Sequence, residues 1–238
     1  QKSRINSVEI EFKQKIKVID LSYKYPNANN LALSKINFEI EFGESIGIVG
    51  PSGSGKSTLI DLILGLLIPT SGQIIVEAQD INQNLRQWQN QIGYVPQNIF
   101  LTDDSIKKNI AFGIPENVID TVALNNAIKA AQLDEFVNSL PEGINAYVGE
   151  RGVRLSGGQR QRIGIARALY HNPNVLVFDE ATSALDSNTE SNFMAAVDQL
   201  KGHKTLIIIA HRISTLENCD KILTINNGTL YITKKQIK

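Results

Sequence analysis

Two glycine-rich stretches of this sequence have the composition of anion cradles. The first, Gly50-Pro51-Ser52-Gly53-Ser54-Gly55-Lys56-Ser57-Thr58, fits the pattern G-x-x-x-x-G-K-[ST]. In such a turn the backbone N–H groups wrap the β-phosphate of a nucleotide, the Lys56 ammonium neutralises β and γ oxygens, and the Ser57 hydroxyl ligates Mg²⁺. A glycine-rich turn can be no more than a tight turn, but a strand pattern directly before it and a helix pattern directly after it weigh against that here. The second stretch, Leu155-Ser156-Gly157-Gly158-Gln159, sets a hydroxyl and two positions without side chains ahead of the helical run Gln159 to Leu169. Amides and the positive end of a helix dipole would face an anion there as well. One nucleotide pocket needs one cradle, so the second raises the question of which phosphate it serves.

Carboxylates are expected beside the phosphates. The apolar run Val175-Leu176-Val177-Phe178 ends in Asp179 and Glu180. Asp179 is placed to hold Mg²⁺ through water, and Glu180 to act as the general base that polarises an attacking water. Two acids at a strand end are often merely solvated; the phosphate loop is what gives this pair a task. His211 follows the buried run Thr205 to Ala210 and emerges at the same sheet edge, where it could hydrogen-bond a γ-phosphate, whereas His171 and His203 read as ordinary strand-end histidines. Gln97 closes another buried strand and could meet Mg²⁺ or the water, although a lone glutamine is more often a surface residue. Asp186 could be a helix N-cap and nothing more. Tyr25 offers an aromatic face for stacking on a base, Trp88 is assigned to packing, and the bland alternative for Tyr25 is a core or rim position.

These groups need a frame. Ser45–Val49, Ile92–Val95, Val175–Phe178 and Thr205–Ile209 are apolar on both faces and separated by helical segments, which predicts a parallel sheet covered on each side. Ile16–Leu21 and Ile36–Ile40 alternate, as antiparallel strands with one wet face do. Asn226-Asn227-Gly228 between two strand patterns signals a hairpin. The spacing predicts a helix over Thr58–Leu67, apolar almost all round. The stretch from about Ile99 to Leu155 reads as a helical insertion, with helices over Asp104–Ala111 and Val118–Leu140 and with Pro115 and Pro141 as breakers.

Composition bounds the classes. With 238 residues and 42% hydrophobic content the chain can build a substantial core. Lys plus Arg and Asp plus Glu number 24 each, so net charge gives no pull toward nucleic acid. Cys219 is the single cysteine, which excludes an internal disulfide and a cysteine-built metal site and fits a reducing compartment. The longest apolar stretch, Leu59 to Pro69, is interrupted by Asp61 and falls well short of the ~20 residues of a membrane helix. The polar start Gln1-Lys2-Ser3-Arg4 lacks the apolar core of a secretory signal.

Taken in order, Tyr25, Gly50–Thr58, Gln97, Leu155–Gln159, Val175–Glu180, Ser183–Asp186 and His211 resemble the nucleotide-binding domain of an ABC transporter over about residues 16 to 232. The resemblance implies an α/β P-loop NTPase core with a mixed, largely parallel sheet, an N-terminal antiparallel β subdomain and an inserted helical subdomain. It divides the chain into a linker from a missing upstream, transmembrane region over 1–15, a core part over 16–98, a helical part over 99–165 and the rest of the core with its hairpin over 166–238. It also implies an ATPase using ATP and Mg²⁺, with Ser57, Gln97 and Asp179 at the metal, Glu180, His211 and Lys56 in catalysis, and Tyr25 with Gly50 to Thr58 and Gln97 around the nucleotide. Two such domains would pair head to tail, so that Ser156, Gly157, Gly158, Gln159 and Asp186 of one reach the ATP held by the other. Gly149-Glu150-Arg151-Gly152 and Ser105–Gly113 are similar to exporter-type members. Transmembrane domains at a cytoplasmic membrane face are the partners this implies, with no nucleic acid. A soluble ABC-type ATPase acting in DNA repair or translation is the alternative within the family. A P-loop kinase or GTPase is the alternative outside it, and there Leu155–Gln159 would be an accidental surface turn.

Overall fold

The computed structural model describes residues 12–181, 187–210 and 216–234; Asp186 and His211 lie outside the described residues. Its elements run β1 (Lys15–Tyr23), β2 (Leu33–Glu41), β3 (Ser45–Val49), α1 (Lys56–Ile63), β4 (Ser71–Val76), β5 (Gln79–Asp80), α2 (Leu85–Gln89), β6 (Ile92–Val95) and α3 (Ile106–Ile110). There follow α4 (Thr121–Ala130), α5 (Asp134–Ser139), α6 (Gly157–Leu169), β7 (Val175–Asp179), α7 (Ser187–Asp198), β8 (Thr205–Ile209), β9 (Lys221–Asn226) and β10 (Thr229–Lys234).

Two sheets result. The first is antiparallel, in the order β2-β1-β4-β5, and the second has the order β10-β9-β3-β8-β7-β6. In the second sheet β9, β3, β8, β7 and β6 are parallel, while β10 returns antiparallel on β9 through Asn227 and Gly228 at φ 47° and 73°. Both central residues of that turn have positive φ, the requirement of the two-residue hairpin the Asn-Gly pair signalled. Strand parity separates two cores. Val175, Val177, Ile207 and Ile209 join α1 and the antiparallel sheet on one face, whereas Leu176, Phe178, Leu206 and Ile208 join α6 and the helical segment on the other. The parallel strands are therefore covered on both faces, as their unbroken apolar runs require.

Helix α1 is shorter than its apolar pattern. It stops at Ile63 because Gly65 takes φ 67°, letting Gly65 N–H bond Leu62 C=O at 3.1 Å and Leu66 N–H bond Asp61 C=O at 2.8 Å. This paired C-terminal closure satisfies carbonyls the helix leaves open. Leu66 and Ile68 fall beyond it and are exposed at 62% and 76%, so the all-round apolar reading ends one turn early. The predicted Val118–Leu140 helix is two helices. Gln132 sits at φ 54° and Leu133 N–H reaches Ile128 C=O at 3.0 Å, the same closure with glutamine where glycine would have marked it. The predicted Asp104–Ala111 helix contracts to α3, capped by Ser105. His171 follows α6 rather than a strand and meets Tyr170 edge-on.

Positions 165 and 166 lie inside α6, and ahead of β1 the side chain of Phe12 is fully buried. Its ring lies edge-on to Phe42 at 5.5 Å and to Trp88 at 6.3 Å, while Glu77 accepts the N–H groups of Lys13 and Gln14 at 3.0 and 2.6 Å. Trp88 is buried, as the packing assignment expects, and its Nε1 donates to Ile63 C=O at 2.7 Å, closing one of the open carbonyls at the end of α1. Trp88→Ala removes ring and donor together. It is expected to cost about 3–5 kcal/mol and lower the thermal midpoint by roughly 10 °C, measured by calorimetry.

Candidate functional site

The C-terminal ends of the parallel strands gather the chemistry. β3 leads into Gly50–Thr58, β6 into Gln97, and β7 ends on Asp179 with Glu180 following. Ligand sites of open α/β sheets occupy this edge.

The loop between β3 and α1 is shaped by glycines. At Gly50, φ is 156° and a Cβ would come within 2.2 Å of Ile225 C=O, so no side chain fits where the loop crosses β9. Gly53, at φ 76°, has nothing within 4 Å of a Cβ position, leaving bare backbone open for a ligand to approach. Lys56, only 8% exposed, donates from Nζ to Gly50 C=O at 2.8 Å and Pro51 C=O at 3.0 Å. The ammonium is thus held across the mouth of the loop, with a third proton left for an anion. Ser57 is exposed, whereas Thr58 is buried and its Oγ1 shares a 3.1 Å hydrogen bond with the Tyr25 hydroxyl. Thr58 therefore positions Tyr25, whose half-exposed ring stands edge-on to Tyr23 at 4.9 Å.

The acidic pair closes β7. Asp179 is half-buried, and burial pushes its carboxyl up, opposed by the Tyr94 hydrogen bond and by Lys56 and reinforced by Glu180 and Asp61. Tyr94 Oη donates to Asp179 Oδ2 at 3.2 Å. Glu180 adopts φ 50°, a left-handed conformation uncommon for a residue with a side chain. Such outliers concentrate at functional sites. Gln97 Nε2 donates to Glu180 Oε2 at 2.5 Å, which leaves the Gln97 carbonyl oxygen for another partner. Tyr25, Gln97 and Glu180 line a cleft of about 480 Å³ together with Ser52, Gly53 and Lys56 to Thr58. That volume is in the small-molecule range.

The second cradle is elsewhere. Ser156 is the N-cap of α6: its Oγ accepts Gln159 N–H at 3.1 Å, and Gln159 Oε1 accepts Ser156 N–H at 2.8 Å. This reciprocal capping box gives Ser156 and Gln159 a structural role that the sequence reading did not assign. No residue of Leu155–Gln159 lines the cleft that Lys56 floors. Two neighbours of Asp179 were also unassigned, Tyr94 and Asp61. A tyrosine in the otherwise apolar Ile92–Val95 strand was the available signal, since a buried phenol hydroxyl needs a partner.

A phosphate-binding loop between a parallel strand and a buried helix, with a carboxylate pair ending a strand two places along the same sheet, defines a P-loop nucleoside triphosphatase. Residues 33–183 match the family described as ABC transporter. The chain belongs to that family. It is 42% identical over 210 residues to the ATP-dependent lipid A-core flippase of Cupriavidus pinatubonensis, covering 87% of this chain and 36% of that protein. It is 43% identical over 234 residues to a putative multidrug export ATP-binding/permease protein of Staphylococcus aureus, covering 98% of this chain and 40% of that protein. A bacterial Atm1-family ABC exporter solved with ATP bound is similar at TM-score 0.85 and 36% identity, over 94% of this chain and 39% of that one. The chain thus spans two fifths or less of the length of these relatives. No helix among the described residues is long and apolar enough to cross a membrane.

Proposed function

We propose that this chain is the ATP-driven motor of an exporter, working at the cytoplasmic face of a membrane and active as a head-to-tail pair with a second nucleotide-binding domain. One observation carries the pairing. Lys56, Gln97, Asp179 and Glu180 gather at one strand-end edge, while the Ser156 cradle does not line their cleft and is left to serve a partner's phosphate.

In this reading the Tyr25 ring stacks on adenine, the amides of Gly50 to Thr58 enclose the phosphates, and Lys56 neutralises the β and γ oxygens. Ser57, Asp179 and the Gln97 carbonyl oxygen would hold Mg²⁺. All three offer hard oxygen donors, and no cluster of three or more His, Cys, Asp or Glu among the described residues forms a cage of its own, which suits a cation carried in with phosphates. When bound, Mg²⁺ supplies charge neutralisation at the β and γ oxygens. Glu180 takes a proton from water as its oxygen attacks the γ-phosphorus, the bond to the β–γ bridging oxygen breaks, and ADP and phosphate leave. His211 is assigned to orienting that water. Ser156, Gly157, Gly158, Gln159 and Asp186 of the second domain contact the γ-phosphate. Those contacts exist only while the γ-phosphate does, so hydrolysis opens the pair. Gln97 and the Glu150–Arg151 turn would pass the change to transmembrane partners.

Concentration dependence tests the pairing. ATPase activity per molecule is expected to rise with protein concentration, as a second-order assembly requires, and to level off once pairs dominate. A specific activity that is flat upon serial dilution would remove the shared site.

A further inference from the structure

On the reading above, in which Asp179 stands at the metal, we propose that Tyr94 is a positioning residue that holds the Asp179 carboxylate in its metal-facing orientation. Strand parity places the two together. Tyr94 pairs with Val177 across the β6–β7 ladder, and Val175, Val177 and Asp179 alternate onto the face that packs against α1. Tyr94 packs against that same core, and its hydroxyl lies within 3.2 Å of Asp179 Oδ2.

The hydroxyl answers an electrostatic problem. Asp179 is half-buried with two other carboxylates close enough to act on it, Glu180 beside it and Asp61 from α1. Lys56 attracts it, yet the Lys56 ammonium is gripped by Gly50 and Pro51 carbonyls. Among the described residues the Tyr94 hydroxyl is the hydrogen-bond donor to this carboxylate. A carboxylate repelled on two sides and bonded on one oxygen has one preferred orientation, and Oδ1 is left for the metal. Gln97, three residues further along, does the matching job on Glu180. One strand end thereby sets both acids.

Nucleotide binding with and without metal tests this. A non-hydrolysable ATP analogue is titrated into the wild type, Tyr94→Phe, Asp179→Asn and the double variant, once with Mg²⁺ and once with EDTA. Groups that orient a metal ligand from behind are typically worth 10- to 100-fold in affinity, and this hydroxyl is only part-buried, so the Mg²⁺-dependent gain should fall about tenfold in Tyr94→Phe. Metal-free binding should be unchanged, because phenylalanine keeps the ring in place. In the Asp179→Asn background the Tyr94 change should add nothing. An undiminished Mg²⁺ gain in Tyr94→Phe, an equal loss with EDTA, or additivity with Asp179→Asn would each overturn the role of Tyr94 alone. A full Mg²⁺ gain in Asp179→Asn would instead overturn the placement of Asp179 at the metal, and Tyr94 with it.

Discussion

Glu180→Gln should bind ATP, hold the paired state and hydrolyse about 10²- to 10⁴-fold more slowly, the range a general base contributes. The substitution keeps shape and removes only the capacity to take a proton. The carbonyl oxygen of the introduced amide can still accept from Gln97 Nε2, so the contact that fixes the side chain survives. The left-handed backbone at this position is as accessible to glutamine as to glutamate. Lys56 and the glycine loop, which would carry the binding, are untouched, and one negative charge lining the cleft is gone. Phosphate release in a single turnover, read beside ATP-induced dimerisation by light scattering, separates the two effects. Near-normal turnover would take Glu180 out of its role.

The second large effect is expected from Ser156→Asp. Alanine would be a poor choice, because Ser156 caps α6 and loss of an N-cap alone costs about 0.5–2 kcal/mol. Aspartate caps as well as serine and is favoured by the helix dipole, so α6 and its capping box should stand. Under the proposed pairing, what changes is the charge offered to a partner's γ-phosphate. Like charges brought together at an interface cost several kcal/mol, so ATP-dependent pairing should disappear and activity fall by at least about 100-fold. ATP binding by the single chain should stay as it was. Mixing supplies the sharper check: Ser156→Asp combined with Lys56→Ala contains pairs in which one site has an intact Lys56 and an intact Ser156. Recovery of activity in the mixture is expected, and its absence, or dimerisation of Ser156→Asp alone, would dissolve the shared site.

Much of this arrangement was legible because it rests on local rules. The four buried parallel strands lie where their unbroken apolar runs put them, and the Asn-Gly turn is the hairpin it signalled. The phosphate loop, Gln97 and the acidic pair converge because each follows a strand of one parallel sheet, and parallel strands end on the same edge. What escaped depends on single backbone dihedrals or on contacts far apart in sequence. Gly65 ends α1 amid residues as apolar as those before it, and Gln132 breaks a helix in a conformation glutamine seldom takes. The Thr58 bond to Tyr25 and the Tyr94 bond to Asp179 join segments 33 and 85 residues apart. The capping role of Ser156 and Gln159 is legible as a serine followed three residues later by glutamine, a pattern that coincides here with the glycine-rich cradle.

Phe12 bears on how the domain can be moved. The chain enters through a side chain wedged between Phe42, just past β2, and Trp88, which is tied in turn to the last carbonyl of α1. A force applied at Phe12 would therefore reach the antiparallel sheet and the phosphate-loop helix together, at the end of that helix remote from Lys56. Because β1 begins three residues later and is hydrogen-bonded along both edges, such a pull shears its ladders rather than unzipping them. Phe12 thus couples the strand ladders to the helix that begins at Lys56.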